Sequence, residues 1–103
     1  MGMSYVTTVI AQAAGATAEI VAAVAGKSIK VHAYSVSSDT VATIAEFEGA
    51  SGLSLSGNIR LADETTVLAP FATEGYFQTP GGTALNLQTT TGAVSGYVRW
   101  SLA

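Results

Sequence analysis

Charge is the first thing that this sequence lacks. Only 11% of its 103 residues are charged, whereas an ordinary soluble domain has about 25%. Lys and Arg number 4 and Asp and Glu number 7, which gives a formal net charge of −3. Such scattered cations cannot neutralise a phosphate backbone, so we exclude a nucleic-acid partner. Intrinsic disorder is excluded as well, because 49% of the residues are hydrophobic and disordered chains are poor in such residues.

Cysteine is absent, histidine occurs once, and no apolar run is long. The lack of cysteine excludes a disulfide framework and thiolate chemistry. No stretch reaches the roughly 18 consecutive apolar residues of a membrane span, so we predict no membrane partner. The histidine, His32, lies in a predicted strand, where the ordinary interpretation is a half-exposed side chain. Since no Gly-x-Ser-x-Gly turn accompanies the serines, we predict no enzyme, no catalytic residue, no cofactor and no small-molecule substrate.

Candidate metal ligands and carboxylate pairs occur in the sequence, and each has the alternative interpretation of an ordinary surface residue. A zinc site needs several N or S ligands, which His32 supplies only if three copies meet at a threefold axis. Glu46 and Glu48 share one face of a strand, and paired carboxylates of this kind serve as acid and base in glycosidases. Asp39 and the pair Asp63-Glu64 carry carboxylate oxygens, which are suitable ligands for calcium. None of these groups comes with the other residues that its chemistry needs. We interpret the carboxylates as a solvated edge and predict no metal site.

Alternation of apolar and polar residues is the main structural signal, and it indicates strands. In residues 53–61 the apolar side chains Leu53, Leu55, Ile59 and Leu61 share one face. In residues 29–36 the pattern places Ile29, Val31 and Ala33 on one face, opposite Lys30, His32 and Tyr34. Glycine and proline separate such segments at intervals typical of an all-β sandwich or barrel. The eight predicted strands cover residues 5–13, 18–24, 28–37, 41–48, 53–61, 66–71, 84–90 and 94–102.

The alanine-rich residues 9–25 fit either a helix or two strands. Alanine favours a helix, but Gly15 lies in its middle and the preceding β-branched residues prefer strands. We favour two strands with a turn at Gly15.

These strands predict one all-β domain, an antiparallel, jelly-roll-like β-sandwich of about eight strands. Residues 1–16 are predicted to be an N-terminal strand or arm, and residues 17–103 the sandwich. An immunoglobulin-like sandwich has a similar strand count, but its paired cysteines are missing here. Phe47 and Trp100 are the aromatic residues predicted for the core.

Several aromatic residues lie around loops, where they are typical anchors of protein interfaces. Phe71, Tyr76 and Phe77 lie between Pro70 and Pro80. The alternative is that this loop simply packs over one end of the sandwich. The candidate interface residues are Tyr5, Phe71, Tyr76, Phe77 and Tyr97.

Two motifs and three shorter segments resemble small virion proteins of tailed bacteriophages. The motifs are Gly-Lys-x-Ile-x-Val at residues 26–31 and Gly-x-Ala-Leu-Asn-Leu at residues 82–87. The chain is similar to capsid decoration, or cement, proteins with a jelly-roll-like sandwich, over about residues 17–102. The matching segments are residues 19–31, 70–71, 75–79, 82–87 and 96–98. They are structural motifs, so no functional residue is carried over.

The resemblance implies a homotrimer on the outer capsid surface that binds the major capsid protein and stabilises the shell. Such a protein is made in the host cytoplasm and ends in the virion. Residues 1–16 match poorly and are a candidate arm toward a neighbouring subunit or the shell, by strand addition. Two alternatives remain: a carbohydrate-binding or host-attachment module, with Tyr76, Phe77 and Trp100 stacking on sugars, and a tail or connector component.

Overall fold

The computed structural model describes residues 4–103, which form nine β-strands and one short 3₁₀ turn, Ala50–Gly52. Successive side chains of an extended backbone point to opposite faces, and the longer strands bury one face. Alternation of apolar and polar residues therefore favours a strand in each of these segments. The strands are β1 (Val6–Gln12), β2 (Thr17–Val21), β3 (Ile29–Ser38), β4 (Thr43–Glu48), β5 (Ile59–Leu61), β6 (Thr66–Ala69), β7 (Phe77–Gln78), β8 (Leu85–Thr89) and β9 (Val94–Leu102).

The strands form two antiparallel sheets that pack as a sandwich. Sheet A has the order β1-β9-β3-β6, with β7 also paired to β3, and sheet B has the order β2-β8-β4-β5. Successive strands repeatedly cross from one sheet to the other, which is the strand order of a jelly roll with β7 added. The predicted all-β antiparallel sandwich is therefore confirmed, and two strands with a turn, not a helix, occupy the alanine-rich segment.

The core lies between the inner faces of the two sheets. Phe47 is completely buried in sheet B, as predicted. Trp100 of β9 lies at the margin of the core, partly buried, and its indole N–H donates a hydrogen bond of 2.9 Å to the Thr8 hydroxyl. Each fully buried aliphatic or aromatic side chain contributes about 1.5–3 kcal/mol. The largest apolar members of this core besides Phe47 are Ile10, Ile29, Val31, Val36, Leu85, Leu87, Val94 and Val98.

Residues 53–61 do not form the single strand that their alternation predicts. The 3₁₀ turn precedes them, and Gly57 adopts φ +72°, so extended backbone is regained only in β5. The hydroxyl of Ser56 accepts a hydrogen bond from the Phe47 N–H at 3.0 Å, which replaces a ladder contact. Consequently Leu61 is buried, whereas Leu53 is half exposed.

A β-bulge at His32 reverses the faces predicted for β3. Val31 pairs with Trp100 and Ala33 with Arg99, so His32 is the extra residue of the bulge. Ile29 and Val31 point to the core as predicted. Beyond the bulge the alternation is shifted by one residue, so Tyr34 packs against the core and Ala33 lies on the opposite face.

Strand β7 was not predicted from the sequence. Its two residues pair with Lys30 and Val31 of β3, which is too short a stretch to show a period. No helix within residues 4–103 is long and apolar enough to cross a membrane.

Candidate functional site: the outer face of sheet A

Strand register defines which side chains lie on the outer face of sheet A, the face turned away from sheet B. Val98 of β9 is buried in the core, so its neighbours Tyr97 and Arg99 point outward. Val9 and Ser35 flank Tyr97, and Leu68 pairs with Ser35. A row of four side chains therefore crosses four strands: Val9, Tyr97, Ser35 and Leu68.

Three of the four side chains in this outer row are hydrophobic and exposed, and the fourth is Ser35. Val9 is 76% exposed and Leu68 is 60% exposed, and Tyr97 between them is also exposed. Phe71, two residues beyond the end of β6, adds a further exposed ring. Contiguous exposed apolar side chains of this kind mark interaction surfaces in soluble proteins.

Charge is divided unequally between the sheets. The strands of sheet A contain no Asp or Glu, and their charged residues are Lys30 and Arg99. The strands of sheet B contain three carboxylates, Glu19, Glu46 and Glu48, beside Arg60. The outer face of sheet A is therefore free of strand carboxylates and carries the two cations Lys30 and Arg99, so an approaching apolar surface meets two strand charges there, against four in sheet B.

An aromatic cluster made of Tyr5, His32, Phe71 and Arg99 occupies one end of this face. The ring of Tyr5 meets His32 and Phe71 edge-on, with centroids 4.9 and 5.1 Å apart. The rings of His32 and Phe71 stack at 5.6 Å. The guanidinium carbon of Arg99 lies 5.5 Å from the Tyr5 ring centre and 5.8 Å from that of Phe71. Aromatic pairs contribute about 0.5–1.5 kcal/mol beyond burial, so the cluster fastens the start of β1 to the loop after β6.

His32 is the completely buried member of this cluster, so the prediction of a half-exposed side chain is wrong. The bulge and the covering rings of Tyr5 and Phe71 are the cause. Its Nδ1 lies 2.9 Å from the Ala72 carbonyl oxygen, and its Nε2 lies 2.7 Å from the Ser101 hydroxyl. A carbonyl only accepts, so in the neutral ring Nδ1 carries the proton and Nε2 accepts from Ser101. A zinc site shared by three copies would require His32 to leave both partners.

The remaining predicted interface residues are divided between surface and interior. Tyr76 is exposed, and its hydroxyl donates a 2.6 Å hydrogen bond to the Pro70 carbonyl. Phe77 turns inward and packs at 5.4 Å against Phe47. Burial, and to a lesser extent nearby Tyr76, raises the pKa of Tyr34 above its ordinary value. Tyr76 and Phe77 thus fasten the β6–β7 loop to the sandwich.

The Glu46 and Glu48 carboxyls lie on the outer face of sheet B, and their environments differ. The Ser54 hydroxyl donates a 2.6 Å hydrogen bond to Glu46, and this bond, followed by one from Glu48, lowers the pKa of Glu46. Burial raises the pKa of Glu48, and the bond to Glu46 and the charge of Glu46 raise it further. Glu48 is only 6% exposed, so the prediction of a solvated edge is wrong for this residue.

An open groove of about 300 Å³ lies at the end of sheet B between β4 and β5. Arg60 lines it together with three threonines, whose hydroxyls are already engaged: Thr43 with Thr90, at 3.3 Å, and Thr91 with the Ala42 carbonyl, at 2.9 Å. Neither carboxylate nor aromatic ring lines this groove. Within the described part of the chain, no three His, Cys, Asp or Glu residues stand close enough to hold a metal ion.

The sequence pattern singled out Tyr5, Phe71 and Tyr97 as candidate interface residues, which stays a prediction, but it did not indicate the residues that lie beside them. Val9 and Leu68 belong to strands whose faces are assigned only by pairing with β9 and β3. Arg99 meets Tyr5 and Phe71 although the three are far apart in the chain. The sequence held one signal for Val9: in a strand, successive side chains alternate, so Val9 lies on the face opposite Thr8 and Ile10.

Comparison with known proteins adds little to this geometry. No protein-family model matches the sequence, and no curated protein matches it. Among solved structures, the chain is similar to one of infectious bursal disease virus, Gx strain, with a TM-score of 0.42 and 16% identity. That match covers 94% of this chain and 32% of the other, so the chain spans about a third of its match. A likeness at this level carries no conclusion for function.

Proposed function

We propose that this chain is a virion structural protein, a capsid decoration or cement protein that binds the outer capsid as a homotrimer and stabilises the shell. The observation that carries the proposal is the outer face of sheet A, where exposed Val9, Tyr97 and Leu68 lie in one row without a strand carboxylate. The resemblance of residues 17–102 to phage decoration proteins supports the same role.

The mechanism follows from multivalency. One apolar face of a chain with 103 residues offers a small contact, and small contacts are individually weak. Three copies held together engage several capsid subunits at once, which raises the overall affinity by orders of magnitude without any new type of contact. The scarcity of charge fits this role, because few charged groups have to be desolvated when such a face docks.

The aromatic residues do not favour the sugar-binding alternative. Trp100 lies on the inner face of sheet A and Phe77 packs on Phe47, whereas Tyr76 is exposed. A carbohydrate platform needs accessible ring faces side by side, and these three side chains do not provide one.

Immunogold electron microscopy of purified virus particles from the source organism tests the proposal. An antibody against the recombinant chain is expected to label the outer surface of the head. Label on the tail or the connector would replace the capsid role with that of a tail or connector component, and particles without label would refute a virion role. Light scattering during size-exclusion chromatography tests the trimer, whose expected mass is three times the 10.4 kDa of one chain.

A further inference from the structure

Within residues 4–103 the sandwich has five edge strands, and four of them carry features that discourage pairing with another chain; one of these four, β7, has only two residues. Proteins protect exposed sheet edges by shortness, charge, proline or a bulge. Strand β2 carries Glu19 and a bulge at Ile20. Strand β5 has three residues, one of them Arg60, and β6 has four residues followed by Pro70.

Strand β1 is the exception. It is the longest of the five edges, with seven residues, Val6–Gln12. It contains no charge, no proline and no glycine, and its register with β9 runs without a bulge. Within the described part of the chain it pairs with β9 alone, so alternate backbone N–H and C=O groups point to the open side. Such an edge is a template for a further strand.

We propose that β1 of one copy pairs antiparallel with β1 of a second copy across a twofold axis at Val9. Val9 is the midpoint of β1, so this register uses the whole strand and joins the two A sheets into one continuous sheet. The inference is separate from the proposed function, which needs a threefold contact. A twofold contact between neighbouring trimers is compatible with it, because it links one trimer to the next.

The sequence of β1 is self-complementary in this register. On the outer face Val9 meets Val9 of the second copy, and Thr7 meets Ala11 of the second copy. The pairing covers Val9, which at 76% has the highest exposure of the large hydrophobic side chains in residues 4–103. No like charges face each other, since β1 has no charged residue, and opposed like charges would destabilise the pair. A second copy therefore fits the edge.

A charge placed at Val9 tests the pairing, and Leu68→Lys is the matched control. Val9→Lys sets two ammonium groups opposite each other and is expected to weaken association about tenfold or more. Leu68→Lys puts the same charge on the same face, at a position 60% exposed on the opposite edge strand, and is expected to leave β1 pairing unchanged. Light scattering over a wide concentration range measures both.

A mixture of Val9→Lys and Val9→Glu separates lost pairing from lost folding. Each variant alone is expected to stay unpaired. The mixture is expected to regain the mass of the paired wild type, twice that of the unpaired form, because opposite charges now meet. The proposal is overturned if the wild-type mass never doubles with concentration, if Val9→Lys pairs as well as wild type, or if the mixture does not recover. A trimer that none of these variants changes would overturn the pairing and leave the proposed function standing.

Cross-linking gives a second, geometric test. The chain has no cysteine, so Val9→Cys introduces a single thiol. Directly opposed residues of an antiparallel pair have Cα atoms about 4.5–5.5 Å apart, within the range of a disulfide. Mild oxidation is expected to cross-link Val9→Cys into dimers much faster than Leu68→Cys. Equal rates for the two variants would overturn the proposal.

Discussion

Gly96 is the position where a single methyl group should damage the fold most. It lies in β9 between Ile10 of β1 and Val36 of β3, with φ +146°. A Cβ added there would lie 1.9 Å from the Ser35 carbonyl oxygen and 2.7 Å from the Ser35 carbonyl carbon. Real Cβ atoms essentially never come within 3.0 Å of such atoms. Because the obstacle is backbone, β3 itself must move by roughly 1 Å away from β9.

The cost of Gly96→Ala has two parts. Forcing a side chain into this backbone conformation costs about 1–3 kcal/mol. Displacing β3 weakens adjoining ladder hydrogen bonds, each with a net contribution of about 0.5–1.5 kcal/mol. We expect a total loss of about 4 kcal/mol or more. A domain of this size has about 5–15 kcal/mol of stability, so the variant should be barely folded at room temperature.

Urea denaturation followed by fluorescence measures this loss. Trp100 is the only tryptophan and lies partly buried at the core margin, so its emission reports unfolding of sheet A. Gly26→Ala is the control: Gly26 also has a positive φ, +70°, but a Cβ there meets nothing within 4 Å. It should cost only about 1–2 kcal/mol. If Gly96→Ala costs no more than Gly26→Ala, the close approach of β9 to β3 is not a constraint and the reasoning fails.

Two further substitutions test the buried polar groups. His32→Ala removes a buried ring, leaves the Ser101 hydroxyl without its partner and takes one of two donors from the Ala72 carbonyl, which keeps the Gly75 N–H. It should lower the free energy of unfolding by about 2–4 kcal/mol, and an unchanged urea midpoint would contradict this. The pKa of Glu48 is raised in the folded state, so the folded chain binds the Glu48 proton more tightly than the unfolded chain does. The contribution of Glu48 to stability is therefore present at acid pH and is lost as pH rises through its folded pKa. Glu48→Gln keeps a donor toward Glu46 without the charge and should gain about 1 kcal/mol at neutral pH; thermal melts across pH check this, and a gain at acid pH alone would reverse the assignment.

Alternation predicted most of the strands because each has one buried and one exposed face. The same rule placed Ile29 and Val31 correctly and then misplaced Ala33 and Tyr34, since a single extra residue at His32 inverts every later side chain. No local property of the sequence marks that bulge. It becomes visible only when β9 supplies the partner register.

The region after β4 failed for a different reason. Leu53 and Leu55 alternate well, but the positive φ of Gly57 and the bond from Phe47 to the Ser56 hydroxyl replace the ladder there. Side-chain hydroxyls that capture backbone groups compete with strand formation, and the serines of this segment do so. A pattern of hydrophobic residues does not report that competition.

The residues of the candidate surface come together only when strands that are distant in the sequence pair with one another. Tyr5, at the start of a predicted strand, and Phe71, in a predicted loop, were separate candidate interface residues, whereas the structure joins them through His32 and Arg99. The low charge of the sequence predicted a surface poor in charge but not where on the fold it lies. The location proposed here rests on the division of charge, because every carboxylate in the described strands lies in sheet B and the longest unprotected edge lies in sheet A. A protein that docked through sheet B would have to desolvate Glu19, Glu46 and Arg60, whereas one that docked through sheet A would meet only Lys30 and Arg99, so sheet A is the side with fewer accessible strand charges to desolvate.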